Sequence, residues 1–404
     1  MSDVFDRRVE YAIQNIWVNP RSGNGQQALK GLQEAAGEGD GDACYFLARC
    51  YSGPCYVDPG FGFESDDAKC EEWYNKSIEL GSAVGMMGAM RVGGFKPRCG
   101  SFVHAPYTTK REIWDKVVEM ARDGQIFCKY MVANAYYYGD VIELAGLTIN
   151  GAPDICSLQR KAIQIYEEIL ASGMAMGLGN LIDILTSGDY GMPVDKERAQ
   201  RLEERGAELG IGIYEVRVGR RYADTEPTKA MELFKSAAEH GDADGYFEMG
   251  KLYTYCSKTL RNLSVAKDYF QKALEMDPES VGACNLLGEI YFKGGDGLEV
   301  NYAEAAKCFL KVIDTNAWCS DMLGTCYLHG LGVPQDYARA RELLEKYPGE
   351  RLSCIGLGEI YAYGLGVPED IGKAMGYWNK FAQDPAVEEH KKHFKKTLFG
   401  WKKR

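Results

Sequence analysis

Apolar residues recur along this chain three and four positions apart, and this spacing predicts amphipathic helices over most of its length. Many of the apolar runs open on a small residue, as in the segment AMELFKSAA from Ala230 to Ala238. Ten such openings follow one another at intervals of 31 to 49 residues, which is enough chain for one helical hairpin each. They are Ala28, Ala68, Ile113, Ala162, Ala199, Ala230, Ala266, Ala305, Ala340 and Ala374.

A second pattern, Leu or Met followed by Gly-x-x-Tyr, alternates with the first. Glycine inside a helix costs up to about 1 kcal/mol relative to alanine, so its repetition indicates close approach of a neighbouring helix. A hairpin of this kind cannot bury its apolar face alone, and the copies are expected to stack into a continuous core. The copies are Met249–Tyr253, Leu287–Tyr291, Leu323–Tyr327 and Leu357–Tyr361, with Val218–Tyr222 and Leu47–Tyr51 as looser versions.

The loops between these patterns carry the signals that end one helix and start the next. The segments GLGVPQD (330–336) and GLGVPED (364–370) are near duplicates, in which glycine permits the left-handed turn after a helix. We expect the residue that closes each loop to cap the following helix. The predicted caps are Asp195, Asn301, Asp336 and Asp370, and Thr109 with Glu112 forms a predicted capping box.

Leu-Gly-x-x-Tyr, then Gly-x-Gly-Val-Pro-x-Asp, then an alanine-rich helix, resembles the Sel-one-like repeat, a relative of the tetratricopeptide repeat. The resemblance implies an all-α fold, a right-handed superhelical solenoid of about ten antiparallel helix pairs, and a role as an adaptor protein. It divides the chain into a lead-in (1–23), degenerate repeats (24–195), regular repeats (196–383) and a basic capping helix (384–404). Insertions are expected at 53–66, 93–108 and 139–156.

Charge and composition narrow the classes of function. The net charge is −11, and because the last fifteen residues carry seven cations and no acid, the preceding 389 residues hold −18. An acidic body argues against nucleic acid as a partner. The N-terminus has no apolar signal segment, so a cytoplasmic location is expected. The 13 cysteines never show C-x-x-C spacing, and we expect reduced structural residues (Cys128, Cys284, Cys319, Cys354) with neither metal nor cofactor.

Two segments leave alternatives to the adaptor hypothesis open. The turn from Asn19 to Gly25 resembles a phosphate-binding turn of lipid kinases, with 294–297 as a second glycine motif. In this alternative the protein would be a phosphate- or nucleotide-binding enzyme that uses Gly23 and Gly25. The favoured prediction remains that the protein is an adaptor and not an enzyme. In the basic segment from His390, helical spacing predicts one basic face and one apolar face of Phe394, Leu398, Phe399 and Trp401. This helix could cap the last repeat, or it could recruit an acidic partner or an anionic membrane and make the protein an effector or regulatory protein.

By analogy with tetratricopeptide arrays, the helices with Leu-Gly-x-x-Tyr should line a concave groove that binds a protein or peptide. Side chains three before the glycine, and one, four or five after it, are then expected to point outward. Aromatic and arginine side chains are typical of binding hot spots. The candidates are Tyr45, Arg49, Tyr130, Asn134, Tyr137, Tyr138, Arg220, Phe247, Lys251, Tyr255, Glu289, His329, Glu359 and Tyr363.

Overall fold

A computed structural model describes residues 5–19, 22–52, 65–146, 154–188, 192–255, 261–314, 316–397 and 400–403. Within these ranges the chain forms 22 α-helices and one two-stranded sheet, so the predicted all-α class is confirmed. The chain divides into two compact units. The first is Met1–Val218 with Glu239–Asp242, and the second is Gly219–Ala238 with Ala243–Arg404.

The helices alternate along the chain in the order that the two sequence patterns predict. The earlier helices are α1 (Arg7–Ala12), α2 (Gly25–Gly37), α3 (Gly41–Tyr51), α4 (Asp67–Glu79), α5 (Ala83–Ala89), α6 (Lys110–Arg122), α7 (Ile126–Tyr138), α8 (Val141–Ala145), α9 (Ile155–Ala171), α10 (Leu178–Ser187) and α11 (Lys196–Glu208). The later helices are α12 (Gly212–Tyr222), α13 (Pro227–Glu239), α14 (Ala243–Tyr255), α15 (Leu263–Met276), α16 (Val281–Lys293), α17 (Tyr302–Lys311), α18 (Ala317–His329), α19 (Tyr337–Lys346), α20 (Arg351–Tyr363), α21 (Ile371–Trp378) and α22 (Pro385–Lys391).

Ten helix pairs account for nearly all of these elements, in agreement with the predicted number. In nine of the pairs the first helix packs directly against the second helix that follows it. In the pair of α12 and α13, Gly219 lies against the Phe234 ring. The first helices are α1, α3, α5, α7, α10, α12, α14, α16, α18 and α20. The second helices are α2, α4, α6, α9, α11, α13, α15, α17, α19 and α21.

The predicted helix caps are confirmed. The side chain of Asp336 accepts a hydrogen bond from the backbone N–H of Arg339, and Asp195, Asn301 and Asp370 cap their helices in the same way. Each bond satisfies one of the N–H groups that a helix start leaves without a partner. The capping box departs in one respect. Thr109 caps the N–H of Glu112, but the Glu112 carboxylate accepts the N–H of Thr108 rather than that of Thr109.

The repeated glycine is explained by the bulky side chain that the second helix lays upon it. A Cβ atom on Gly288 would lie 2.4 Å from the Phe309 ring, and one on Gly250 would lie 2.6 Å from Phe270. Cβ contacts that short do not occur in folded proteins, so neither position admits a side chain without displacing its partner. The glycines therefore fix how closely the two helices of a pair pack.

One predicted anchor is wrong. Nine of the ten anchor residues that open the apolar runs are buried, but Ala68 is exposed. Buried anchors such as Ala340 and Ala374 lie four positions after the capping residue, whereas Ala68 lies only two after the cap Asp66. The equivalent position in α4 is Cys70, which is partly buried against the core. The anchor position of α4 is therefore Cys70, two residues or about half a turn after Ala68.

The lead-in 1–23 is helical over most of its described length. Helix α1 continues into a π-helical turn from Ile13 to Val18, and both pack against α2. Phe5, Ile16 and Trp17 are buried. The lead-in therefore completes the first helix pair.

The predicted basic helix over 384–404 is wrong beyond Lys391. Helix α22 ends there, and the chain forms an antiparallel hairpin of β1 (Phe394–Thr397) and β2 (Gly400–Lys403). Alternation along a strand buries Phe394 and turns Lys395 outward, whereas a helix would group the aromatic residues by spacings of three and four. Leu398 and Phe399, assigned to the apolar face of that helix, lie outside the described residues. The hairpin, with Phe394 and Trp401 against the last pair, covers its apolar face.

The insertions and cysteines largely follow expectation. Residues 93–108 form turns, 139–156 includes the short α8, and the insertion at 53–66 lies almost wholly outside the described residues.

The predicted structural cysteines Cys128, Cys284, Cys319 and Cys354 are buried free thiols, and burial raises the pKa of each. Among the described helices, none combines the length and the apolar character needed to cross a membrane.

Candidate functional site

Two of the predicted groove residues lie in the core of the first unit. Tyr45 is 1% exposed and packs edge-on against Phe46 and Phe127. Arg49 is 7% exposed, with its guanidinium 5.1 Å from the centre of the Phe127 ring. The prediction that these side chains point outward is wrong, because α7 supplies Phe127 to cover the face of α3 that was assigned to the groove.

Asn134 is also buried, and it belongs to an internal hydrogen-bond network. The Tyr166 hydroxyl donates to the Asn134 side-chain oxygen at 2.6 Å, and Asn180 donates to both residues at 3.1 and 2.9 Å. These three residues join α7, α9 and α10. Asn134 is therefore a structural residue rather than an outward-pointing one. The repeat pattern does not predict its two partners, because they lie on other helices.

The remaining candidates on α7 are three tyrosines, two of which end the helix. Tyr130 and Tyr137 are half-buried, whereas Tyr138 is 58% exposed. The Tyr137 and Tyr138 rings meet edge to face at 4.6 Å, and the Arg91 guanidinium lies 4.2 Å above the Tyr138 ring. Arg91 is itself paired with Asp140 at 2.7 Å.

A cavity of about 490 Å³ opens beside these two tyrosines. Its other described lining residues are Gln159 from α9 and Asp183, Ile184, Thr186 and Ser187 from α10. The amide of the buried Gln159 donates to the Tyr137 backbone carbonyl at 2.7 Å and thereby holds the end of α7. Gln159 and Asp183 were not predicted, because no repeat pattern relates them to the tyrosines.

In the second unit, charged side chains connect α12 to α14. Arg220 donates to Glu248 at 2.8 Å and to Asp244 at 3.1 Å. Lys251 donates to the same Glu248 carboxylate at 2.8 Å. Glu248 is 4% exposed, so the two cations balance an acid that would be costly to bury alone. Arg220 and Lys251, predicted independently, share one ion-pair cluster.

Two further candidates continue this surface. Phe247 is partly buried against Phe270 and contacts Lys251 through its ring. Tyr255 ends α14 and is 63% exposed. Partial burial raises the pKa of its hydroxyl, and the Glu289 carboxylate of α16 adds to that rise.

The last candidates form a cluster of histidines around one carboxylate. Glu359 on α20 lies 3.6 Å from His329 of α18 and 3.8 Å from His390 of α22. The Tyr363 hydroxyl lies 3.4 Å from the other ring nitrogen of His390, and the Trp378 ring stacks on that histidine. Burial lowers the pKa of His390, against the opposing charge of Glu359. His390 was predicted only as part of the basic tail.

The predicted phosphate-binding turn is described only in part, since Pro20 and Arg21 lie outside the described residues. Gly25 is buried as the first residue of α2, and the Asn24 side chain donates to Asn15 at 3.2 Å. Both residues therefore serve the junction of the lead-in with α2. Within the described ranges, no three His, Cys, Asp or Glu side chains are grouped closely enough to hold a metal ion.

Comparison with known proteins gives the same architecture. The Sel1 repeat model matches residues 41–82, 175–211, 219–242, 243–278, 281–313, 321–346 and 352–384. No curated protein matches the chain. A solved protective antigen of uropathogenic Escherichia coli with an SLR fold is 22% identical, with 95% of this chain and 78% of that chain covered and a TM-score of 0.54. A Sel1 repeat protein from Oxalobacter formigenes is 18% identical, with coverages of 89% and 96% and a TM-score of 0.49.

The matched segments agree with the helix pairs seen in the structure. The segment 243–278 contains α14 and α15, and 352–384 contains nearly all of α20 and the whole of α21, so these matches are a first helix followed by its second helix. The match 219–242 is shorter and contains only the end of α12 before α13. Seven such matches together span more than half of the residues, and the chain belongs to the Sel1 repeat family.

Proposed function

We propose that this protein is a scaffold that binds a protein or peptide partner through its first helices, with Tyr138 of the first unit and Tyr255 of the second as the principal aromatic anchors. The observation that carries the proposal is the equivalence of these two tyrosines. Each is the last residue of a 13-residue first helix, one in each unit, and they are the two most exposed large apolar side chains described.

Exposed tyrosine is suited to this role. Its ring supplies a large contact area at low conformational cost, and aromatic residues are over-represented among binding hot spots. Repeats of this family generally serve as protein–protein interaction scaffolds. The burial of Tyr45, Arg49 and Asn134 removes them from the proposed surface.

The charged residues beside Tyr255 would set the position of the partner segment. Arg220 and Lys251 are committed to the buried Glu248 carboxylate, which keeps their side chains in fixed positions at the surface. Pre-positioned charges contribute more to specificity than to affinity. A partner segment with acidic residues spaced to meet these cations would bind in one register.

Site-specific photo-crosslinking tests the proposal. A benzophenone side chain is placed at Tyr255 or Tyr138, and in the control at Leu310, an exposed apolar residue on the second helix α17. We expect the same cell-lysate protein to be captured from both tyrosine positions and not from Leu310. Equal capture from all three positions, or capture from Leu310 alone, would contradict the assignment to the first helices.

The captured partner then allows an affinity measurement. Truncation of an anchor of this kind typically costs 2 kcal/mol or more, so Tyr255→Ala should weaken binding by roughly 30-fold. Leu310→Ala, which removes a comparably exposed apolar side chain, should leave the affinity within about twofold. An unchanged affinity in Tyr255→Ala would remove this residue from the interface.

A second candidate function, membrane contact through the tail, is favoured by the hairpin. Lys395 and Lys402 are directly opposite each other across β1 and β2, both are exposed, and neither forms an ion pair with a described residue. Like charges in that position repel each other, and an anionic surface would relieve the repulsion. We propose that the hairpin binds vesicles that contain phosphatidylserine.

Charge-neutralising variants test this candidate better than removal of the tail, because deletion of 390–404 would also remove the buried Phe394. The double variant Lys395→Gln and Lys402→Gln should lose sedimentation with anionic vesicles. Its thermal unfolding should occur at the wild-type temperature or slightly above it, because the repulsion between the two lysines is removed. Neutral vesicles are the control. Wild-type protein that stays in the supernatant with anionic vesicles at low salt would reject membrane contact.

A further inference from the structure

The cavity beside Tyr137 and Tyr138 has a distinct chemical character. Its described lining combines two aromatic rings with carboxylate, amide and hydroxyl groups, and none of the described lining residues is Lys, Arg or His. Its volume of about 490 Å³ is within the range of about 300–1,000 Å³ that is usual for ligand pockets. The described part of the lining therefore offers hydrogen-bond acceptors and π faces, and it carries no positive charge.

Gln159 contributes an acceptor that the fold leaves unused. The residue is 2% exposed, and its Nε2 donates to the Tyr137 carbonyl, but its Oε1 has no hydrogen-bond partner among the described residues. Buried polar atoms nearly always have partners, and an unmade bond costs the desolvation free energy of the atom. A donor that enters the pocket would recover this cost.

Asp183 contributes a negative charge without a cation. It is exposed at the rim of the pocket on α10, and it forms no ion pair with any described residue. The carboxylate is therefore available to a ligand that carries a positive charge.

The Tyr138 ring already accepts a guanidinium on one face. The Arg91 guanidinium lies 4.2 Å from the ring centre. Its positive charge is balanced by the Asp140 carboxylate, with which it forms an ion pair. The contact is a cation–π interaction of the usual kind. The same chemistry is available to a ligand through the aromatic wall of the pocket.

We propose that this pocket binds an arginine side chain of the protein partner. The guanidinium stacks on the tyrosine wall, donates to the Asp183 carboxylate, and directs an N–H at Gln159 Oε1. This last contact needs a small rotation of the soft terminal torsion of Gln159, which retains the Nε2 hydrogen bond to the Tyr137 carbonyl. Arginine fits better than lysine, because its planar fork satisfies several acceptors at once and stacks on aromatic rings. The acidic body of the chain, at −18 before the tail, would attract such a partner. This inference rests on the proposed scaffold function and adds the chemistry of one anchor.

Defined peptides test the inference without knowledge of the partner. The probe is the capped pentapeptide Gly-Gly-Arg-Gly-Gly, titrated to about 10 mM against the full-length protein by NMR, and the control peptide carries citrulline, which keeps the shape of arginine without its charge. We expect the arginine peptide to bind at least about tenfold more tightly than the citrulline peptide, with a lysine peptide in between.

Matched variants locate the binding. Asp183→Asn should weaken binding of the arginine peptide at least about fivefold and reduce its salt dependence. Asp123→Asn makes the same charge change at an exposed acid of the first unit that does not line the pocket, and should leave the affinity within about twofold. Thermal unfolding of both variants verifies that the fold is intact.

Each outcome decides the inference. Equal binding of the arginine and citrulline peptides, no binding of either, or an Asp183→Asn variant that binds like wild type would overturn it. Crosslinking from Tyr138 and Tyr255 to a partner, combined with no preference for arginine, would leave the scaffold function standing and reject only the arginine pocket. Preference for arginine without any crosslinked partner would support the pocket and reject the scaffold.

Discussion

Gly358 provides a direct test of how the helix pairs are held together. It lies on α20, and a Cβ atom built on it would be 2.1 Å from Nε1 of Trp378 on α21. Trp378 is fully buried, donates from Nε1 to the Ile355 carbonyl at 3.2 Å, and stacks on His390. Gly358→Ala therefore forces the indole to move.

Three effects set the expected magnitude. Overpacking of a filled core costs about 1–3 kcal/mol. Displacement of the indole weakens its hydrogen bond to Ile355, at about 1 kcal/mol. Alanine recovers about 1 kcal/mol of helix propensity relative to glycine. The free energy of unfolding should therefore fall by about 1–3 kcal/mol in Gly358→Ala.

Gly376 on α21 is the matched control in the same unit. It is exposed, its conformation is helical, and an added Cβ would meet nothing within 4 Å. Gly376→Ala should accordingly stabilise the protein by about 0.5–1 kcal/mol. Urea unfolding would be followed by tryptophan fluorescence and by far-ultraviolet circular dichroism. The unfolding midpoints of the variants would be compared only where the two probes give the same transition, because repeat arrays do not always unfold in one step.

The contact itself can be tested with a second substitution. In a Trp378→Leu background, which copies the Leu344 that covers Gly324, the cost of Gly358→Ala should shrink because the smaller side chain can yield. A Gly358→Ala protein at least as stable as wild type would refute the packing argument. So would equal effects of the alanine substitution at Gly358 and Gly376.

Three further predictions concern charged groups. Burial raises the pKa of Asp321 to about 6, so between about pH 4 and pH 6 the folded state holds a proton that the unfolded state releases. The free energy of unfolding, relative to that of Asp321→Asn, should therefore fall by up to about 3 kcal/mol as pH rises from about 4 to about 7. Parallel pH profiles of unfolding for the two proteins would argue against this. In Glu359→Gln the pKa of His390 should fall further, because the opposing carboxylate charge is lost; NMR titration of the imidazole measures it, and a rise would contradict the assigned interaction. Lys395→Glu places an acid opposite Lys402 and should stabilise the hairpin by about 0.5–1 kcal/mol, which slower amide hydrogen exchange in β1 would reveal.

The helices were predictable because their signals are local. A cap such as Asp336 and the N–H group that it satisfies are three residues apart, and a motif glycine reports on the helix that follows it. The pairing of helices needs no information from distant parts of the chain.

Exposure at the candidate site was not predictable, because it depends on residues far away in sequence. Arg49 and Arg220 occupy the same position of the repeat, yet Arg49 is covered by Phe127 from another pair, while Arg220 stays at the surface with Glu248. The repeat pattern predicts the same exposure for both arginines.

The tail failed for a different reason. A short run that mixes apolar and basic residues satisfies helical and strand periodicity equally well. The contact of Phe394 with Trp378 is formed in a strand, and it depends on the last helix pair.

The contact between glycine and bulky side chain, repeated from pair to pair, also bears on how the chain folds. It joins Gly219 to Phe234, Gly250 to Phe270 and Gly288 to Phe309, so its partners are only 15 to 21 residues apart in sequence. Loops this short close at little entropic cost, and proteins of low contact order fold fast. Folding of the array can therefore nucleate at any of several pairs and spread to its neighbours. Duplication or loss of a whole pair during evolution would leave every other nucleus intact.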